Sequence, residues 1–238
     1  MTTERIGKDF YDSSDYFENQ GTLHLNDHDS PFQRYRIQKV REIHVPGPDD
    51  RMVDLGCGWG TFGFALASGV AEITGVDFSE RSIAICEERL AEKPTENLRF
   101  LCVDAGATGL PSDSFDLVLA ADLFEHIYPE DSQRIAAEAY RILAPGGRFA
   151  TWTPHRGHIL EVLKNHDIIL KRDISHVDYK SMDAMRGLLA NAGFKIERAY
   201  YAESHLPGFR AIERATQWFL PFMRRRIAVL GRKPVGEN

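Results

Sequence analysis

From Arg51 onward the chain alternates two kinds of text. Five short apolar runs, MVDL, EITGVD, LRFLCVD, FDLVLA and GRFATWT, are separated by helically spaced stretches near 60–68, 79–92 and 130–142. A short apolar run bounded by turn residues reads as a buried strand. Strand–helix alternation requires crossovers that bring each strand back parallel to the one before. A further helix near 181–192 ends at Asn191-Ala192-Gly193, a C-cap signal. FKIERAYY then reads as a sixth strand, a helix follows near 208–220, and RIAVLG is the seventh strand. The pattern predicts an α/β fold built on a doubly wound, mostly parallel sheet.

Between the first strand and its helix lies Val53-Asp54-Leu55-Gly56-Cys57-Gly58-Trp59-Gly60. Glycines there allow a tight turn and let backbone approach a ligand closely. The helix that follows offers unpaired N–H groups to a polar or anionic ligand. Asp77 ends the second apolar run and Asp104 the third. A carboxylate at the end of the second strand can accept both hydroxyls of a ribose, although a strand-end Asp can also merely cap the next helix. Gly58-Trp59-Gly60-Thr61-Phe62-Gly63 matches the GxGxxG of nicotinamide dinucleotide sites. The register is wrong, because the fingerprint's first glycine should directly follow the strand. Counted from Gly56, the third position is Thr61.

Three more segments complete the pattern: Asp104-Ala105, FDLVLAADLFEH at 115–126, and RILAPGGRF at 141–149. With the glycine loop and Asp77 they stand in the order and spacing of the class I S-adenosylmethionine (SAM)-dependent methyltransferases. Within that class the chain resembles the ubiquinone-biosynthesis O-methyltransferases and related small-molecule enzymes. The resemblance implies a Rossmann-like, seven-stranded sheet whose last strand is antiparallel, with a helical N-terminal cap over residues 1–50 and the SAM-dependent domain over 51–238. It implies that Asp54 orients the methionine end of SAM, that Asp77 holds the ribose and that Asp104 meets the adenine amino group. Gly56, Cys57, Gly58, Gly60, Phe78, Ala105 and Ala121 are the other implied contacts. Cys57 is expected to fill a loop position and not to act as a nucleophile. The rival readings are an NAD-dependent oxidoreductase and a non-catalytic SAM-binding protein.

Both flanks carry candidates. Pro31 opens a helix over 31–43 with Phe32, Tyr35, Ile37, Val40 and Ile43 roughly on one side, ended by Pro46-Gly47-Pro48. In the resembled group an arginine about twenty residues before the glycine loop meets the SAM carboxylate. Arg36 has that spacing, and Arg34 fits the local context. Tyr11, Tyr16 and Phe17 are expected to form a lid, with Tyr16 counted among the SAM contacts. His126 follows the fourth strand, and His176 opens a segment resembling the family's H-x-x-x-[FY]-[ST], in the irregular stretch 154–180 near the acceptor pocket. A histidine near neutrality can take a proton from a hydroxyl acceptor, so these two are the candidate bases. His155 and His158 lie at the same edge; loop spacing supplies no ligand template, and no metal is predicted.

The net charge of −6 argues against a nucleic-acid substrate, whose binders carry a basic surplus. A small-molecule acceptor is expected. Three cysteines without a CxxC pair suggest a reducing, cytoplasmic compartment. The N-terminus shows no apolar signal-peptide run, and no window is apolar enough to span a membrane. From Lys195 onward nine basic residues face four acidic ones, beside Phe209, Ile212, Trp218, Phe219 and Phe222. That stretch either packs on the sheet, with Arg226–Gly231 as the last strand, or touches a membrane surface peripherally through an exposed turn at Arg224-Arg225-Arg226.

Overall fold

The computed structural model describes residues 5–13, 30–165, 174–205 and 207–236. Two helices precede the sheet: α1 (Lys8–Asp12) and α2 (Pro31–Ile43). Then come β1 (Arg51–Leu55), α3 (Thr61–Leu66), β2 (Glu72–Asp77), α4 (Glu80–Glu92), β3 (Leu98–Cys102), β4 (Phe115–Ala121), α5 (Pro129–Ile142) and β5 (Leu143–Pro154). The chain closes with α6 (Ile159–Asn165), α7 (Met182–Asn191), β6 (Lys195–Ala202), α8 (Pro207–Thr216) and β7 (Arg226–Arg232). The seven strands lie in the order β3-β2-β1-β4-β5-β7-β6. β7 is inserted between β5 and β6 and runs antiparallel to both. The other described pairings are parallel. The expected fold is thus the observed one.

Local chemistry sets the helix ends. Ser30 caps α2 by accepting from the Gln33 amide at 3.2 Å, with Pro31 in the first turn. Ser79 caps α4 through the Ser82 amide at 3.1 Å, and Ser181 caps α7 through Ala184 at 3.2 Å. At the far end of α7, Phe194 N donates to Leu189 O at 3.1 Å while Gly193 adopts φ +103°. That is the left-handed cap the sequence predicts.

The central strands are buried on both faces, as a parallel sheet requires. One face packs Met52, Ile73, Leu119 and Trp152 against Tyr35, Val40 and Ile43 of α2. The other packs Val53, Val118 and Phe149 against Ile135 and Ile142 of α5 and Met185 and Leu189 of α7. Sequential strands fan out from β1 in both directions. The crevice between the carboxyl ends of β1 and β4 is therefore the switch point where ligands of open α/β sheets bind.

The structure amends the predicted elements in four places. The fifth strand begins at Leu143, earlier than GRFATWT suggests, because Leu143 already pairs with Phe115. The ladder then skips to Arg148 opposite Leu117, and Pro145-Gly146-Gly147 bulges out with Gly146 at φ +89°. The stretch 154–180 is not wholly irregular, since it contains α6. The helix after Gly60 ends at Leu66, followed by a short 3-10 turn over Ala67–Gly69. The helix near 208–220 stops at Thr216, and Trp218 and Phe219 beyond it are exposed. No helix among the described residues is long and apolar enough to cross a membrane.

Lys233, just past β7, fastens the bulge. Its backbone exchanges hydrogen bonds with Gly146 and Gly147 at 2.9 and 2.8 Å. Its ammonium donates to Leu143 O at 2.7 Å, Tyr140 O at 2.8 Å and Asp113 Oδ1 at 2.6 Å. A cation on the last carbonyls of α5 also suits the helix dipole. Lys233→Met is expected to lower the unfolding free energy by about 1.5–3 kcal/mol, the range for hydrogen bonds to a charged group. Urea denaturation measures it, and an unchanged midpoint would refute the role.

Candidate active site

The glycine loop is tied to β2 before it meets any ligand. Gly56 N and Cys57 N both donate to Val76 O, at 2.8 and 2.9 Å. Gly58 N donates to Asp77 Oδ2 at 2.9 Å, and Ser79 N to Asp77 Oδ1 at 3.0 Å. Gly56 and Gly58 have φ of +69° and +52°. A Cβ on Gly56 would lie 2.6 Å from a methyl of Leu123, whereas one on Gly58 would project into open space. Leu123 thus holds one side of the loop while the other faces a void. The α4 cap belongs to Ser79, which frees Asp77 from the simple capping role. Each Asp77 oxygen takes one amide and keeps a lone pair for a further donor. Burial raises the Asp77 pKa against the pull of the Ser79 and Gly58 amides.

That void is a cavity of about 580 Å³, within the range of small-molecule sites. Gly56, Cys57, Gly58, Asp77, Phe78 and Ala121 line it together with Glu125, His126, His176, Arg225 and Arg226. α1 lies across it. Tyr11 packs on Phe78 at 5.3 Å and near His126 at 6.1 Å. Asp12 accepts from Ser79 Oγ at 2.7 Å, anchoring α1 at the start of α4.

Asp54 is fully buried behind the loop. Among the described residues its Oδ2 has no hydrogen-bond partner. Burial pushes its pKa up to about 8, and Asp77 adds to the shift while Arg36 opposes it. Asp122 behaves oppositely. Burial works against its charge, yet the guanidiniums of Arg226 and Arg36 hold its pKa below the ordinary value. Arg36 reaches it with Nε and Nη2, both at 2.8 Å, and gives Nη1 to Gln33 at 2.9 Å. Arg226 bonds the other oxygen of Asp122 and lies over the Trp152 ring.

The wall around Glu125 is assembled from distant segments. Glu125 O accepts from Val177 N at 2.9 Å and Asp178 N at 3.2 Å, which hangs the His176 segment on the end of β4. The His126 and His176 rings meet edge to face at 4.8 Å. His126 Nδ1 contacts Ser175 O at 3.1 Å, and His176 Nδ1 contacts Tyr179 Oη at 2.7 Å. The Glu125 carboxyl accepts from Thr153 Oγ1 at 2.8 Å. Burial, then the charge of Asp122, pushes its pKa up to about 8.

The structure sorts the sequence candidates. Arg36 lines the cavity and Arg34 is exposed on the opposite face of α2. Gly60, in the left-handed conformation, starts α3 behind the loop. Asp104 and Ala105 follow β3 outside the lining of the cavity. Asp104 is half-exposed, bonding Arg134 at 3.0 Å and Gly106 N at 2.6 Å. His158 is buried on Glu213 at 3.1 Å, and His155 is buried beside Tyr201; neither joins His176. Tyr16 and Phe17 lie outside the described residues. Of the two readings of the basic tail, the packed one holds at Arg225 and Arg226. Arg225 and Arg226 face inward, Arg225 bonding Glu161 at 3.0 Å, because buried carboxylates await them. Sequence reasoning missed these two as cavity residues, and also Glu125 and Glu161. A basic run entering a strand that the fold must bury was the available signal.

Residues 52–147 match the family model of a methyltransferase domain. This stretch is a methyltransferase domain. Outside it, the antiparallel β7 between β5 and β6 is the last strand expected of the class I, SAM-dependent kind and departs from the parallel sheet of the nicotinamide reading. The ubiquinone biosynthesis O-methyltransferase of Coxiella burnetii is 32% identical over 118 residues, covering 50% of this chain and 49% of that protein. The chain thus spans about half the length of such a curated relative. Among solved structures, a SAM-dependent methyltransferase from Mesorhizobium loti superposes with TM-score 0.63 at 21% identity, over 82% of this chain and 96% of the other. Phosphoethanolamine N-methyltransferase 2 of Haemonchus contortus, in complex with SAM, gives TM-score 0.69 at 18% identity, over 95% and 60%. At such identities the likeness concerns the fold.

The methyltransferase domain's cofactor is SAM, and the residues present fit it. The spare lone pairs of Asp77 suit ribose hydroxyls and Gly58 leaves room at the loop, whereas Asp54, whose Oδ2 is unpartnered among the described residues, lies outside the cavity lining. Because the folded pKa of Asp54 is raised above 3.8, the unfolded chain ionises this group first. Stability is therefore lost as pH rises from about 4 to 8. Asp54→Asn removes that contribution, so its stability between pH 5 and pH 8 should fall less steeply than the parent's. Thermal unfolding across that range measures the slope, and equal slopes would sink the assignment.

Proposed function

We propose that the protein transfers the methyl group of SAM to a hydroxyl of a small-molecule acceptor. The observation that carries this reading is one cavity lined both by the glycine loop with Asp77 and by the Glu125–His126–His176 cluster. When bound, SAM supplies an electrophilic methyl on a sulfonium, displaced in line by the acceptor. The chain's own contribution is proximity and orientation, worth up to roughly 7–11 kcal/mol.

In this reading Asp77 accepts both ribose hydroxyls, and Asp54 helps orient the methionine end from behind the loop. Arg36, fixed by Asp122 and Gln33, still has N–H groups to offer the methionine carboxylate. Gly56, Cys57, Gly58 and Gly60 shape the loop, with Ala121 beside it. Phe78, Asp104 and Ala105 serve the adenine end, where Asp104 shares its carboxylate with Arg134. Tyr11 on α1 closes the site against water, and Tyr16 remains a proposed lid residue. His126 and His176 are the groups closest in kind to a proton acceptor for the hydroxyl. Phosphoethanolamine and ubiquinone precursors, suggested by relatives' names, both fall within the small-molecule class; the hydroxyl choice rests on the imidazoles, because an amine needs less base assistance.

Asp77→Ala is expected to weaken SAM binding by about 1.5–3 kcal/mol. Calorimetric titration of a folded variant measures it, and unchanged affinity would remove the ribose role. Replacing either histidine by Ala should lower kcat about 10²–10⁴-fold with SAM affinity kept. Turnover is scored by mass spectrometry on a metabolite extract. A parent protein that binds SAM yet methylates nothing in such extracts would instead be a non-catalytic SAM-binding protein.

A further inference from the structure

We infer that Arg225 and Arg226 form an oxyanion subsite in the cavity, which holds a carboxylate or phosphate group of the methyl acceptor. Both line the cavity that Glu125, His126 and His176 also line. β7 runs antiparallel, so its first residues lie at the carboxyl edge of β4 and β5, where the parallel strands end. Three strand spacings separate β7 from β1, roughly 14 Å at about 4.8 Å each. The two arginines therefore start on the far side of β4 and β5 from the glycine loop.

Each guanidinium is held through one nitrogen. Arg225 Nη1 donates to Glu161 Oε1 at 3.0 Å and lies 3.2 Å from His158 Nδ1. Arg226 Nη1 donates to Asp122 Oδ1, and its guanidinium carbon lies 4.4 Å from the Trp152 ring centre. Among the described residues, Nε and Nη2 of both arginines make no hydrogen bond. Those two nitrogens form the guanidinium edge that binds two oxygens side by side. Arg36 differs, since its Nε and Nη2 both engage Asp122. The side chains of Arg225 and Arg226 are only 19% and 12% exposed, so bulk water solvates their open edges poorly. Buried charge is costly unless paired, and Asp122 and Glu161 must answer three guanidiniums, those of Arg36, Arg225 and Arg226. Glu125 does not make up the difference, because burial pushes its pKa up to about 8. Glu213 is separated from Arg225 by the His158 ring. The methionine carboxylate proposed for Arg36 arrives with an ammonium and a sulfonium, and so adds no net negative charge. An oxyanion on the acceptor supplies both the charge and the oxygen atoms.

The inference rests on the methyl-transfer reading and makes its acceptor a hydroxyl-bearing organic acid. Side-chain contacts run from the subsite to a candidate base. Glu161, bonded to Arg225, accepts from Tyr179 Oη at 3.3 Å, and that oxygen lies 2.7 Å from His176 Nδ1. Phe32, Pro154 and Leu160 line the same cavity and suit an apolar body joining the two polar groups. Anchoring the anion fixes the hydroxyl against the methyl, and this transfer depends on that proximity. A neutral alcohol of the same shape leaves two buried guanidinium edges unpaired and is rejected.

The test uses the full chain with S-adenosylhomocysteine in excess, so that the place of the cofactor's own carboxylate is filled. Benzoate, phenyl phosphate and the neutral benzamide are titrated by calorimetry. At least one anion should bind, the tighter of the two identifying the acceptor's anion, and benzamide should bind about 10- to 100-fold more weakly. Arg225→Lys and Arg226→Lys keep a cation beside Glu161 and Asp122, which guards against a variant that fails to fold, but they lack the fork. Each should weaken the anion about 10-fold with S-adenosylhomocysteine affinity kept. Benzamide binding as tightly as the anions, or both variants binding them like the parent, overturns the subsite. A matching loss of S-adenosylhomocysteine affinity gives the arginines to the cofactor and overturns it as well. SAM titration of the parent separates the two readings. SAM binding without anion binding removes the subsite and leaves methyl transfer standing. Anion binding without SAM binding removes methyl transfer, and with it the assignment of the anion to a methyl acceptor.

Discussion

The Asp77 carboxylate receives the amide of Gly58 from one loop and that of Ser79 from the next. The carboxyl ends of β1 and β2 are thereby locked together beside the switch point. Burying a carboxylate is costly unless it is hydrogen-bonded, and at Asp77 the backbone itself supplies the bonds. The loop is consequently held open from beneath, with Gly58 free of side-chain neighbours on the cavity side. Without this clamp the positive-φ glycines Gly56, Gly58 and Gly60 would be only a permissive turn.

A second buried acid organises the opposite wall. Asp122, itself at φ +56°, lies between Arg36 from α2 and Arg226 from β7. The three residues come from regions far apart in the chain, and their charges remain because each is paired. Asp54 and Glu125 are equally buried, and burial, which the charges of Arg36 and Arg226 only partly oppose, pushes both up to about 8.

The N-terminal arm and the His176 segment are positioned by a handful of hydrogen bonds and ring contacts. Asp12 bonds Ser79, and Ile6 N bonds the Tyr128 hydroxyl at 3.0 Å. The amides of Val177 and Asp178 hang from one carbonyl. Such elements bury little apolar surface and open more readily than the sheet, which suits segments that must admit SAM and an acceptor.

The sequence by itself determined the sheet and the glycine loop that follows its first strand. Strand period, helix caps such as Ser79 and Gly193, and the glycine spacing are local properties, readable from neighbouring residues. The spacing that marks Asp54, Gly56, Gly58 and Asp77 is likewise local, because one strand–turn–helix unit and the next strand bring them together. Only the tertiary structure decided the acceptor end. It chose Arg36 over Arg34, turned Arg225 and Arg226 inward, left Asp104 outside the cavity lining, parted His155 and His158 from His176, and set Glu125 beside both remaining histidines. Those contacts join residues some 50 to 100 positions apart. Their geometry follows from how loops return over the sheet, where long-range pairing of buried charges outweighs any local preference.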